Sequence, residues 1–187
     1  MHGATTSETE LTLAPSGERF VFRSPPEDTE RLAFDFFVTP GGGVPDRHQH
    51  ARQSETFRCR SGALDVEVAG VLRRLGPGEE LTLPAGTVHR MMNHGDEDVH
   101  CEVEYRPAGR NREWFQLIAA NTERLGREPG LLDLAPFLPD VDLYLAGPVW
   151  LQRALFRRVL APLAILLGRR RRMLACASET YGRPFTW

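Results

Sequence analysis

The sequence predicts a mainly β protein: one antiparallel sandwich or barrel up to about residue 107, followed by a helical extension. Three observations carry this. Short segments of alternating or clustered apolar residues recur at even spacing, with turn residues between them. After Pro107 the apolar period lengthens from two to the helical one. With 187 residues, 41% of them hydrophobic, the chain can fill one sizeable core and hardly two.

Taken in order, residues 1–18 are polar and read as a flexible N-terminal segment. "RFVFRS" and "RLAFDFFVTP" are strands, and "GGGVPD" after them reads as a loop. "ALDVEVAG" alternates strictly, with Leu64, Val66 and Val68 on one face and Asp65 and Glu67 on the other. Further strands follow to Pro107, punctuated by Gly76-Pro77-Gly78, Pro84-Ala85-Gly86 and Asn93-His94-Gly95-Asp96. The barrel is thus expected over residues 19–107 and the extension over 108–187. Within the extension, "NREWFQLIAANTERLG" places Trp114, Ile118 and Leu125 on one stripe and Gly126 as a stop. A Pro-rich connection leads to a last helix in "VWLQRALFRRVLAPLAILLGRRRR". Its wide apolar face is expected to pack on the barrel or on a second subunit, and Arg169–Arg172 to sit at its C-terminus, where the macrodipole favours cations.

Composition excludes some partners. A net charge of -2 and a pI near 6.3 give no global attraction for nucleic acid or an anionic surface. All 23 basic residues are arginine. Three scattered cysteines without CxxC spacing, and an N-terminus with neither a basic nor an apolar region, point to a reducing cytoplasmic location. "VLAPLAILLG" is interrupted by proline and too short to span a bilayer.

The chemistry concentrates in "HQHARQSETF". Residues two apart on a strand project from one face, so His48 and His50 point together, and the polar "ARQS" can turn the chain to bring Glu55 beside them. Two nitrogens and an oxygen make a plausible metal face. A candidate fourth ligand, His89, follows the turn shaped by Pro84 and Gly86.

These residues resemble the two motifs of the cupin superfamily. G-x5-H-x-H-x4-E-x6-G is met by Gly42, His48, His50, Glu55 and Gly62, and G-x5-P-x-G-x2-H-x3-N by Gly78, Pro84, Gly86, His89 and Asn93. The resemblance implies a double-stranded β-helix (jelly-roll) barrel with a metal inside. It implies His48, His50, Glu55 and His89 as ligands of one divalent ion (Fe, Mn, Ni, Co or Zn), the four glycines as turn residues, and Asn93 as a structural position. Strand alternation adds Phe57 and Met91, with Phe34 and Phe36, as the substrate pocket. His94 is expected in an exposed turn and His100 on the solvated face. The order of the tail is similar to that of small bacterial cupins with a C-terminal helical extension, which makes it a lid or dimerisation arm and the protein a homodimer. The expected function is that of a metal-dependent enzyme, a dioxygenase or an isomerase/cyclase, acting on a small oxygenated organic molecule. Glu55 would serve as ligand and possible base. The alternative is a non-catalytic small-molecule-binding cupin.

Overall fold

The computed structural model describes residues 9–187. The alternating segments form two antiparallel sheets. In the first, the strand order is β1 (Glu10–Leu13), β2 (Glu18–Phe22), β3 (Leu32–Val38), β10 (Val99–Arg106), β5 (Ser54–Ser61) and β8 (Glu80–Leu83). In the second it is β11 (Tyr144–Leu145), β4 (Gly43–Gln49), β9 (His89–Met92), β6 (Leu64–Val68) and β7 (Val71–Leu75). Their inward faces share one core: Phe34, Phe36, Phe57 and Val103 from the first sheet meet Leu64, Val66 and Met91 from the second. Each such side chain contributes about 1.5–3 kcal/mol through burial. This is a cupin-type barrel followed by a helical region.

Two segments expected to be irregular are strands. Residues 9–18, within the expected flexible segment, include β1, which pairs with β2 and buries Leu11 and Leu13; residues 1–8 of that segment lie outside the described residues. The alternation in "ELTL" is enough for an edge strand once a partner exists. "GVPD" is not a loop but the start of β4, whose pairing with β9 shifts register between Val44 and His48. The irregularity absorbs Pro45 at an edge-like position and lets His48 face His89.

The extension holds α1 (Asn111–Leu125), α2 (Leu131–Leu134), α3 (Val149–Leu155), a π turn over Phe156–Leu160, α4 (Ala161–Leu166) and α5 (Arg169–Tyr181). Gly126 ends α1 in the left-handed conformation, as its position predicts. A second core forms here from Trp114, Leu117, Phe137, Val141, Met173 and Phe185. The last helix departs from expectation in two ways. Gly168, at φ +71°, breaks it, so the four consecutive arginines open α5 instead of closing its predecessor. There the macrodipole disfavours them by about 0.3–1 kcal/mol each. Of the two covers expected for the apolar face of α3–α4, the barrel is not one: within the chain Trp150 is 73% and Leu166 84% exposed.

Candidate metal centre

Four buried side chains meet where the two sheets converge. His48, in β4, and His89, in β9, are direct cross-strand partners in the second sheet, with ring centroids 4.2 Å apart. His50 follows β4, where the chain turns towards β5; its carbonyl accepts the Gly86 N–H at 2.6 Å. Glu55 enters from the first sheet in β5, opposite Tyr105 of β10. The left-handed Gly86 (φ +81°) belongs to the turn that delivers His89, and His50 holds that turn in place. The two motif segments are thereby locked together by backbone.

Each imidazole is oriented by a carbonyl. His48 Nδ1 donates to Asp46 O at 2.9 Å, His89 Nδ1 to Thr87 O at 2.9 Å and His50 Nδ1 to Asp142 O at 2.8 Å. A carbonyl only accepts, so all three Nε2 atoms are left to point at the centre. Tyr105 donates its hydroxyl to Glu55 Oε1 at 2.7 Å, which turns Oε2 towards the histidines. Burial, reinforced by the neighbouring His89, pushes His48 down to about 4, so it is neutral at pH 7. Burial alone would raise Glu55, but His50 and His89 hold it below the usual carboxylate range. On His50, burial opposes the charge and Glu55 outweighs it, leaving its pKa raised. Burial first, then the charge of Glu55, keeps Tyr105 protonated far above its ordinary range.

The residues fit a metal ion. Bonds of about 2.1 Å put adjacent donors about 3 Å apart and opposite donors about 4 Å apart. The four donor atoms all lie within 4.8 Å of one another, and Glu55 Oε2 is 2.8 Å from His89 Nε2 and 3.5 Å from His50 Nε2. His50 Nε2 is buried without a hydrogen-bond partner, a loss of about 1–3 kcal/mol that a bound cation would relieve. Three imidazoles and a carboxylate suit a divalent transition metal without choosing among them. Both Glu55 oxygens are engaged, and its proton affinity is low. That favours a ligand over the general base that the sequence also allowed.

The cluster opens onto a cavity of about 520 Å³, lined by the expected pocket residues Phe34, Phe36, Phe57 and Met91. The extension completes the wall: Trp114, Phe115, Ile118, Val141 and Leu143 line the same space. The remaining motif positions serve the backbone. Asn93, fully buried, donates to Val38 O and Glu97 O and accepts from the Gly95 N–H. Gly42 admits Ser16 O to 2.5 Å of where a Cβ would stand, and Gly62 (φ +72°) admits Asp98 O to 2.6 Å. Gly78 (φ +86°) and Pro84 shape turns around β8. His94, exposed, pairs with Asp65, and the partly exposed His100 pairs with Asp35 and stacks on Phe37; neither joins the cluster.

Sequence reasoning missed three residues here. Tyr105 belongs to the inward apolar set of its strand, which says nothing of its hydroxyl's role on Glu55. Asp142 lies in an irregular segment with no period to read, yet its carbonyl orients His50 and its carboxylate accepts the Arg52 and Gln53 N–H groups. Glu18 alternates with Phe20 and Phe22 on the inward face of β2 and lines the cavity, with Oε1 buried and unpartnered. The i, i+2 pattern in "ERFVF" is the signal for it. Burial, partly offset by Ser16 and assisted by Glu128, pushes Glu18 up to about 7.

The two-sheet barrel with an inward His/His/Glu/His set defines a cupin fold. Residues 34–103 match the Cupin_2 family model, and this stretch of the chain is a cupin domain. "Probable oxidoreductase patJ" of Aspergillus clavatus is 37% identical over 98 residues, covering 47% of this chain and 29% of that protein. Its namesake in Penicillium expansum is 34% identical over 105 residues, covering 51% and 31%. The chain thus spans less than a third of the length of these curated relatives. Among solved structures, KdgF from Halomonas sp. aligns with a TM-score of 0.47 at 23% identity, over 52% of this chain and 84% of that one.

Proposed function

We propose that the protein is a metal-dependent enzyme of the oxidoreductase type, acting on a small oxygenated organic molecule held in the barrel. The observation that carries this is the convergence of four metal-type donors on the wall of an apolar cavity. At about 520 Å³ the cavity is within the range of small-molecule sites, roughly 300–1,000 Å³. The naming of two fungal relatives as oxidoreductases favours redox chemistry over the isomerase or cyclase type.

His48, His50 and His89 would hold the ion through Nε2 and Glu55 through a carboxylate oxygen. When bound, the ion supplies a Lewis-acidic centre for substrate oxygens and, if redox-active, access to dioxygen. The chain's own residues set the conditions around it. Three backbone carbonyls fix the imidazole tautomers, and the Tyr105 hydroxyl keeps its proton on the Glu55 side, holding that carboxylate ionised and aimed. Phe34, Phe36, Phe57 and Met91 receive the apolar body of the substrate and exclude water, which strengthens the polar contacts inside. Glu18 offers Oε1 to a hydroxyl or N–H group of the substrate away from the metal.

Metal analysis of the purified protein, of His48→Ala and of Glu55→Gln tests the ligand set. Near-stoichiometric metal is expected in the parent and a large loss in both variants; full retention in both variants would refute it. Metal-loaded protein is then incubated in air with catechols and small hydroxy acids. Metal-dependent consumption of a probe supports the enzyme. Tight binding of a probe without turnover favours a ligand-holding cupin.

A further inference from the structure

The α3–α4 segment joins an uncovered apolar face to unpaired positive charge. Leu151, Leu155, Val159, Leu163 and Leu166 follow one another at three- and four-residue steps, Trp150 stands beside them, and all six are more than two-fifths exposed. Ala161 and Ala164 face the protein. The 36 residues from Leu143 to Ser178 carry seven of the 23 arginines and none of the 25 acidic residues. Of these arginines, Arg157, Arg158, Arg171 and Arg172 are exposed and have no ion-pair or hydrogen-bond partner among the described residues. Arg171 and Arg172 also lie in the first turn of α5, at the positive end of its dipole, so the fold itself opposes their placement.

We propose that this face docks the protein on anionic lipid bilayers. Trp150 and the leucine stripe enter the boundary between headgroups and acyl chains, and the four unpaired arginines meet lipid phosphates. Charge decides between this occupant and a second copy of the chain. Arg169 is neutralised by Asp133, but a self-complementary contact would still set the four unpaired arginines of one copy against those of the other, with no acidic residue between Leu143 and Ser178 to pair them, and an anionic surface removes that repulsion. The helix would lie in the plane of the interface: no helix among the described residues is long and apolar enough to cross a membrane. The inference is independent of the metal centre.

The test is co-sedimentation of the full chain with phosphatidylcholine vesicles, with and without phosphatidylglycerol, at low and high salt. Binding is expected only with phosphatidylglycerol, weakening as salt rises. Leu155→Glu with Leu163→Glu should lower the partition coefficient by at least about tenfold. Serine at Arg157, Arg158, Arg171 and Arg172 should lower it by roughly fivefold per arginine removed. All these leucine and arginine sites are exposed, and unchanged thermal unfolding and metal content verify that the variants fold. Equal binding to neutral and anionic vesicles, or none to either, overturns the proposal. So does a stable dimer in light scattering that the double glutamate variant splits, which would assign the face to a second copy.

Discussion

Replacing Glu18 by glutamine should make the protein more stable at alkaline pH, although it removes a charged residue. Glu18 is 5% exposed, with one oxygen unpartnered and the other 2.6 Å from Ser16 Oγ. Burial, assisted by Glu128, takes its pKa from 4.5 to about 7 in the folded state. Below about pH 4.5 both folded and unfolded chains hold the proton, and the carboxyl leaves stability unchanged. As pH rises towards 7 the unfolded chain ionises first and stability falls. At about 1.4 kcal/mol per pH unit the full loss is about 3 kcal/mol, complete just above pH 7. The glutamine side chain keeps the shape and the hydrogen bond to Ser16 but cannot ionise. Urea unfolding of the two metal-free proteins from about pH 4.5 to about pH 8.5 should therefore give curves that lie close together at the acid end and separate by up to about 3 kcal/mol at the alkaline end, with the variant above. A difference that does not change with pH would show that Glu18 does not titrate as the structure requires.

Tyr105→Phe leaves Glu55 Oε1 without its donor. Metal affinity should fall about 10–100-fold in a competitive chelator titration, and the metal-free protein should lose about 1–3 kcal/mol in urea unfolding. Asp142→Ala strips the acceptor from the Arg52 and Gln53 N–H groups while sparing the carbonyl on His50. It should cost about 1–3 kcal/mol with a smaller effect on metal affinity than Tyr105→Phe, read by the same two assays. Gly62→Ala forces a side chain into left-handed backbone and against Asp98 O, and should lower stability by more than about 1–2 kcal/mol. Phe137→Ala, fully buried in the second core, should cost about 3–5 kcal/mol while metal content stays intact.

What the sequence disclosed follows the physics of each signal. The alternation of Val99, Cys101, Val103 and Tyr105 is a property of a single strand and survives into the barrel intact, whereas in β6 Leu64 and Val66 enter the core but Asp65 and Glu67 on the other face are buried too and Val68 is only half-buried. The spacing of His48, His50, Glu55 and His89 is legible because two fixed-length turns carry it, and the structure brings those four together. Glu18 is within reach of the same alternation but falls inside a segment whose polar composition reads as flexible. Asp142 is not, since it meets His50 across 92 residues through an irregular connection that has no period. The helix break at Gly168 carries a legible stop signal, yet a continuous apolar run on one side and arginines on the other read as one helix and its end.

The hydrogen bond from His50 to Asp142 has a consequence for anyone who would treat the barrel as a portable part. The family match ends at residue 103, whereas the carbonyl that aims one candidate ligand and much of the chamber wall come from beyond it. A chain trimmed to the matched stretch would retain the four donors but lose the braces on two of them, His50 and Glu55, together with much of the surrounding surface. The vessel around those donors is therefore built from both flanks of the matched stretch as well as from within it.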